Sequence, residues 1–170
     1  MVTGGILAAS IQAGYIEEVM FRGVIFRITE EGLGSWWALA ISSALFGLAH
    51  IGNPNATWLS AAAIMIEAGI LLGATYMLTR RLWAVMGMHF AWNYTQGGVF
   101  GISVSGTDVQ GMLVSRLTGP EILTGGAFGI EASLLTVILC FAVAVFVLRR
   151  TVRRGHLVRP FWKREAPAPA

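Results

Sequence analysis

The chain has one cysteine in 170 residues, Cys140, so an intramolecular disulfide and any multi-thiolate metal site are excluded. Charge is scarce too: charged residues make up 12% of the chain and hydrophobic residues 55%, with a mean hydropathy of +0.67. A soluble domain carries about a quarter charged residues, and half that share cannot clothe a globular surface in water. A bundle facing acyl chains needs no such clothing. A signal peptide is also missing, because the first apolar stretch continues into Glu17 and Glu18 rather than a small-residue cleavage site. No sequence repeat divides the chain. The net charge of +3 and pI near 9.6 do not make a nucleic-acid footprint, since the basic residues sit at the ends of apolar runs, as in Arg80-Arg81 and Arg149-Arg150.

What is present is a set of apolar runs bounded by charges, glycines and prolines. In lipid only helices and closed barrels satisfy their own backbones, so the runs predict an all-α fold, a polytopic transmembrane bundle of about five segments. These are residues 4–28, 35–50, 57–79, 82–96 and 128–148, with turns expected at Glu30-Glu31-Gly32-Leu33-Gly34 and Gly52-Asn53-Pro54-Asn55. The glycine-rich stretch 97–126 reads as a loop with one short interfacial helix. Residues 1–148 form the expected intramembrane core, and residues 149–170 a basic, disordered cytoplasmic tail ending in Ala-Pro-Ala-Pro-Ala. Arg27, Arg80, Arg81 and the seven Lys and Arg residues from Arg149 to Arg164 fall on one side of an alternating path. The positive-inside rule puts that side in the cytoplasm and residue 1 outside, in a multi-pass protein of, by its arginine bias, a bacterial cell membrane.

The informative residues are the ionisable ones that interrupt these runs, each costly in lipid and therefore facing a partner or a wet cavity. Glu18 and Arg22 are four apart, which stacks them on one helix face as an ion pair; Glu17 is rotated by about 100° and left free. His89 and Asn93 repeat the four-residue interval, so an imidazole and a carboxamide converge as hydrogen-bond donors suited to an oxyanion. Phe46 and His50 repeat it again, with the ring packed beneath the imidazole. Glu67 has no partner at helical spacing and reads as structural.

Glu17-Glu18-x-x-x-Arg22, Phe46-x-x-x-His50 and His89-x-x-x-Asn93, in this order on an all-helical membrane chain, resemble the CPBP family, the CAAX protease and bacteriocin-processing intramembrane endopeptidases also called Abi. The stretch Leu123 to Glu131 is similar to the segment that often precedes the last helix in bacterial members. The resemblance implies an active site in an intramembrane cavity. There Glu17 and His50 would polarise a water for attack on an amide, and His89 and Asn93 would stabilise the oxyanion. Glu18, Arg22 and Phe46 would support them. It implies a metal-independent glutamic endopeptidase with no cofactor, membrane lipid around it, a peptide or membrane protein as substrate and no nucleic acid. A metalloprotease variant with His50, His89 and a glutamate as ligands ranks lower, because the chain has no His-Glu-x-x-His helix. Members of the family usually carry further transmembrane helices before the Glu-Glu pair, and 16 residues precede Glu17 here, so the expectation is the motif-bearing core. Two other readings use the same residues: a non-catalytic membrane immunity or binding protein, and an ion or proton carrier.

Overall fold

A computed structural model describes residues 2–164, and among them the architecture is all-α, with no strand beyond an isolated bridge between Val104 and Thr107. Helix α1 (residues 2–33) is continuous, with a π-helical stretch, Val19–Phe26, in its middle. Helix α2 (residues 35–52) ends in a 3-10 turn at His50–Gly52. Helix α3 (Trp58–Thr79) has a second π stretch at Met65–Ile70, and α4 (residues 82–99) a third at Tyr94–Val99. A loop carrying the short α5 (Glu121–Thr124) leads to α6 (Leu134–Arg153).

Local chemistry sets these boundaries. Thr57 caps α3 through a reciprocal capping box with Ser60, and the Ser133 hydroxyl caps α6 by accepting the Thr136 N–H at 3.2 Å. Between α1 and α2 the expected five-residue turn shrinks to Gly34 alone, at φ +83. Glu30 and Glu31 stay helical because Glu30 does not face solvent: it accepts from the Ser35 hydroxyl at 2.5 Å and pairs with Arg80. The last helix begins six residues later than the apolar run suggests, since Gly129, at φ +118, breaks the chain into 3-10 turns before Ser133.

Three of the helices are long and apolar enough to cross a membrane: Ser35–Gly52, Trp58–Thr79 and Leu134–Arg153. The first and fourth of the five expected segments, which carry Glu17, Glu18, Arg22, His89 and Asn93, do not meet that measure among the described residues. They pack against each other, α1 along α4, while α3 packs between α2 and α6. Phe26, Leu39, Leu72, Tyr76, Met77 and Val85 form one buried cluster, and Phe21, Phe46, Ile64 and Phe128 a second nearer the polar residues. Close approach of α2 and α3 depends on small residues: a Cβ at Gly47 would lie 2.5 Å from the Ala61 carbonyl.

The tail differs from expectation. Residues 149–153 continue α6, and the chain then folds back over the α1–α2 corner. The Val158 N–H donates to the Ser35 hydroxyl at 2.8 Å, and the Arg164 guanidinium donates to the Glu30 and Glu31 carbonyls at 3.2 and 2.7 Å. The basic stretch that suggests a disordered tail instead supplies a donor for the Glu31 carbonyl, one of those a helix terminus leaves without an intrahelical partner, and a second donor for Glu30, whose carbonyl also accepts from the Gly34 N–H. The final Ala-Pro repeat lies outside the described residues.

Candidate functional site

Glu17 and Glu18 sit at the end of the α-helical part of α1, immediately before its π stretch. Glu18 is fully buried, and its Oε1 accepts from Arg22 Nη1 at 2.9 Å, the ion pair that the four-residue interval predicts. The same oxygen lies 2.9 Å from His89 Nδ1, a contact 71 residues away in sequence. Arg22 is held further by the Gly69 carbonyl at 3.1 Å, on the π stretch of α3, and its guanidinium lies 4.5 Å over the Phe46 ring. One carboxylate thus joins α1 to α4, and one guanidinium joins α1 to α2 and α3.

Glu17 points elsewhere, as the 100° rotation requires. Its Oε2 is 3.9 Å from His50 Nε2 and makes no hydrogen bond. The other His50 nitrogen, Nδ1, is 2.8 Å from the Phe46 carbonyl. A carbonyl only accepts, so Nδ1 carries the proton and Nε2 presents a lone pair to Glu17 in the neutral ring. Phe46 is buried between the two histidines, 4.7 Å from the His50 ring and 6.0 Å from the His89 ring. It is therefore a wall shared by both imidazoles and Arg22.

Glu17, His50, His89 and Asn93 border a common cavity of about 170 Å³. Its opposite wall comes from α1 at Ile6 and Ser10, and its roof from the loop after α4 at Val104, Ser105 and Thr107. A smaller pocket of about 30 Å³ lies deeper, bordered by His50, His89 and Asn93 and by two further carboxyls, Glu67 and Glu131. Glu67 is buried in the π stretch of α3 and borders this pocket with His50, but not the larger cavity that Glu17 lines. Glu131, in the 3-10 turn before α6, accepts at Oε2 from the Ser105 N–H at 2.7 Å and the Ser105 hydroxyl at 3.1 Å. Burial pushes its carboxyl up to about 7, with the Ser105 bonds pulling the other way. No group of three or more His, Cys, Asp or Glu side chains among the described residues could hold a metal ion.

The structure brings the seven residues picked out by spacing into one cluster. Two links escape that reasoning: the Glu18–His89 contact and the roof tied to Glu131. Each joins residues far apart in sequence, and periodicity speaks only within a helix.

The family model described as "Type II CAAX prenyl endopeptidase Rce1-like" matches residues 2–95, more than half the chain and all seven residues of this cluster. The chain is also 26% identical over 123 residues to "Putative membrane peptidase YdiL" of Bacillus subtilis (strain 168). That match takes in 72% of this chain and 46% of YdiL, so the chain spans under half the length of the relative. No solved structure matches.

Proposed function

Because the chain belongs to the type II CAAX prenyl endopeptidase Rce1-like family of membrane peptidases, we propose that its cavity hydrolyses a peptide bond in a membrane-associated peptide or protein, with Glu17 and His50 activating the water. The observation that carries this reading is the pair of facing acceptors, Glu17 Oε2 and His50 Nε2, 3.9 Å apart. That distance is too long for a direct hydrogen bond and suits one water donating a hydrogen to each. A water held by both hydrogens presents its oxygen lone pair outward, where a carbonyl carbon entering the cavity would meet it.

Attack forms the new C–O bond as Glu17 takes the water proton, and the carbonyl oxygen becomes an oxyanion. Asn93 donates to that oxygen from its amide. His89 donates from Nε2, which requires a proton on both ring nitrogens, and Glu18 against Nδ1 supplies the balancing negative charge. When the C–N bond breaks, the proton on Glu17 passes to the leaving amine, leaving one product with a carboxylate and the other with an amino terminus. Glu18 thus becomes more than a brace for α1: it orients His89, while Arg22 shares its charge.

In this mechanism Glu17 and His50 supply both contacts to the water, so it needs no metal. Cleavage of a peptide library by the purified protein in detergent is the test, with Glu17→Ala as control. A loss of about 10²- to 10⁴-fold in kcat is expected for Glu17→Ala, with wild-type cleavage persisting after exhaustive chelation. Wild-type rates in Glu17→Ala would overturn the role of Glu17, and loss of cleavage on chelation would overturn the metal-free reading.

A further inference from the structure

The cavity roof lies beyond the family match, and its hydrogen bonding is complete. Val104 and Thr107 exchange N–H···O bonds in both directions, at 3.0 and 2.9 Å. Between them, Ser105 donates its N–H to Glu131 at 2.7 Å and accepts from the Asn53 side chain at 3.0 Å. Gly106 donates to the Phe128 carbonyl at 2.7 Å and accepts from the Asn55 side chain at 3.1 Å. Every backbone N–H and C=O of residues 104–107 is used. The roof is a fixed part of the bundle, with no free backbone edge to offer a ligand.

The bonds run in a specific direction. Asn53 donates its own N–H to the His50 carbonyl at 3.1 Å, so Glu131, Ser105, Asn53 and His50 form an unbroken hydrogen-bonded relay across three segments of chain. Its fit is tight: Ser105 and Gly106 both hold left-handed backbones, φ +46 and +85, and a Cβ on Gly106 would fall 1.8 Å from the Pro54 carbonyl. Glu131 supplies the carboxyl at the far end, 2% exposed, with one oxygen taking both the N–H and the hydroxyl of Ser105. Without it the Ser105 N–H loses the carboxyl oxygen that holds it at 2.7 Å.

Resting on the peptidase reading above, we propose that Glu131 is a positioning residue: through Ser105 and Asn53 it fixes the turn after His50 and so holds the imidazole opposite Glu17. What it supplies is a hydrogen-bond acceptor, so a glutamine can substitute for it and an alanine cannot. The effect falls on the chemical step, since small displacements of a reacting group are costly while substrate contacts elsewhere persist.

The test compares Glu131→Ala with Glu131→Gln by two readouts. In peptide cleavage, Glu131→Ala should lower kcat on the order of tenfold to a hundredfold with KM changed by less than about threefold, and Glu131→Gln should recover most of the loss. In amide hydrogen exchange, Glu131→Ala should speed exchange in residues 103–107 and also in residues 51–56, with Glu131→Gln near wild type. Exchange in 51–56 that is unmoved by Glu131→Ala overturns the relay, and a glutamine as damaging as alanine overturns the acceptor role. Should Glu131→Ala fail to fold, Asn53→Ala cuts the same relay between Ser105 and His50 and must lower kcat and loosen residues 103–107. A wild-type protein that cleaves no peptide defeats the peptidase reading, while the exchange readout still decides the relay.

Discussion

Adjacent glutamates on one helix take opposite assignments here because a helix turns about 100° per residue. Glu18 is fully buried with Arg22, and Glu17 faces the cavity with one oxygen unbonded. Their alanine variants should therefore separate. Glu18→Ala leaves the Arg22 guanidinium buried without its carboxylate, an expected loss of about 3–5 kcal/mol, read as a lower melting temperature in detergent. Glu17→Ala removes no such bond and should stay within about 1 kcal/mol of wild type in the same melt. Glu131 gives a pH signature. Its folded value of about 7 lies above the ordinary 4.5, so the fold holds that proton more tightly than the unfolded chain does. The stabilisation is complete below about pH 4.5 and is lost as pH rises through 7. Wild type should lose melting temperature across that window relative to Glu131→Gln, whose curve lacks the titration.

At the scale of the helix, what was legible in sequence is what repeats within one element. The intervals Glu18 to Arg22, Phe46 to His50 and His89 to Asn93 each placed two side chains on one helix face, and the structure sets His50, His89 and Asn93 around one cavity, with the Glu18–Arg22 pair linked to His89 and Phe46. Helix ends were read less well. The Glu30-Glu31 pair looked like a turn because charge usually marks solvent, and the partners that make it helical, Arg80 and the segment near Arg164, lie 50 to 134 residues away. Nor does periodicity reveal which glycines are contacts. A Cβ at Gly47 would meet the Ala61 carbonyl at 2.5 Å and Met65 Cβ at 2.7 Å, whereas one at Gly87 meets nothing within 4 Å. Gly47→Ala should push α2 from α3, moving His50 three residues on, and lower both melting temperature and cleavage rate. Gly87→Ala should leave cleavage unchanged and stabilise by about 0.5–1 kcal/mol, the gain usual for alanine over glycine within a helix.

For the whole molecule, membrane character followed from composition alone, whereas the path of the last residues did not, because a basic stretch reads the same whether it is solvated or docked. Docked, residues 156–164 fasten one end of the bundle. His156 Nδ1 donates to the Leu78 carbonyl at 3.0 Å, and its own carbonyl accepts from Arg80 at 2.6 Å. Removing residues 155–170 should lower the melting temperature by several degrees, at about 2–4 °C per kcal/mol for a chain of this size, where a solvated tail would be removed without effect. The same clasp has a consequence for the order of assembly. Arg164 closes on Glu31 across 133 residues of chain, so this corner of the bundle is completed by residues that leave the ribosome long after the helix they fasten. A nascent chain halted before residue 156 would carry every residue of the proposed catalytic cluster and still be open at that corner. Limited proteolysis of such a stalled chain should cut between α1 and α2, at a site the finished protein protects.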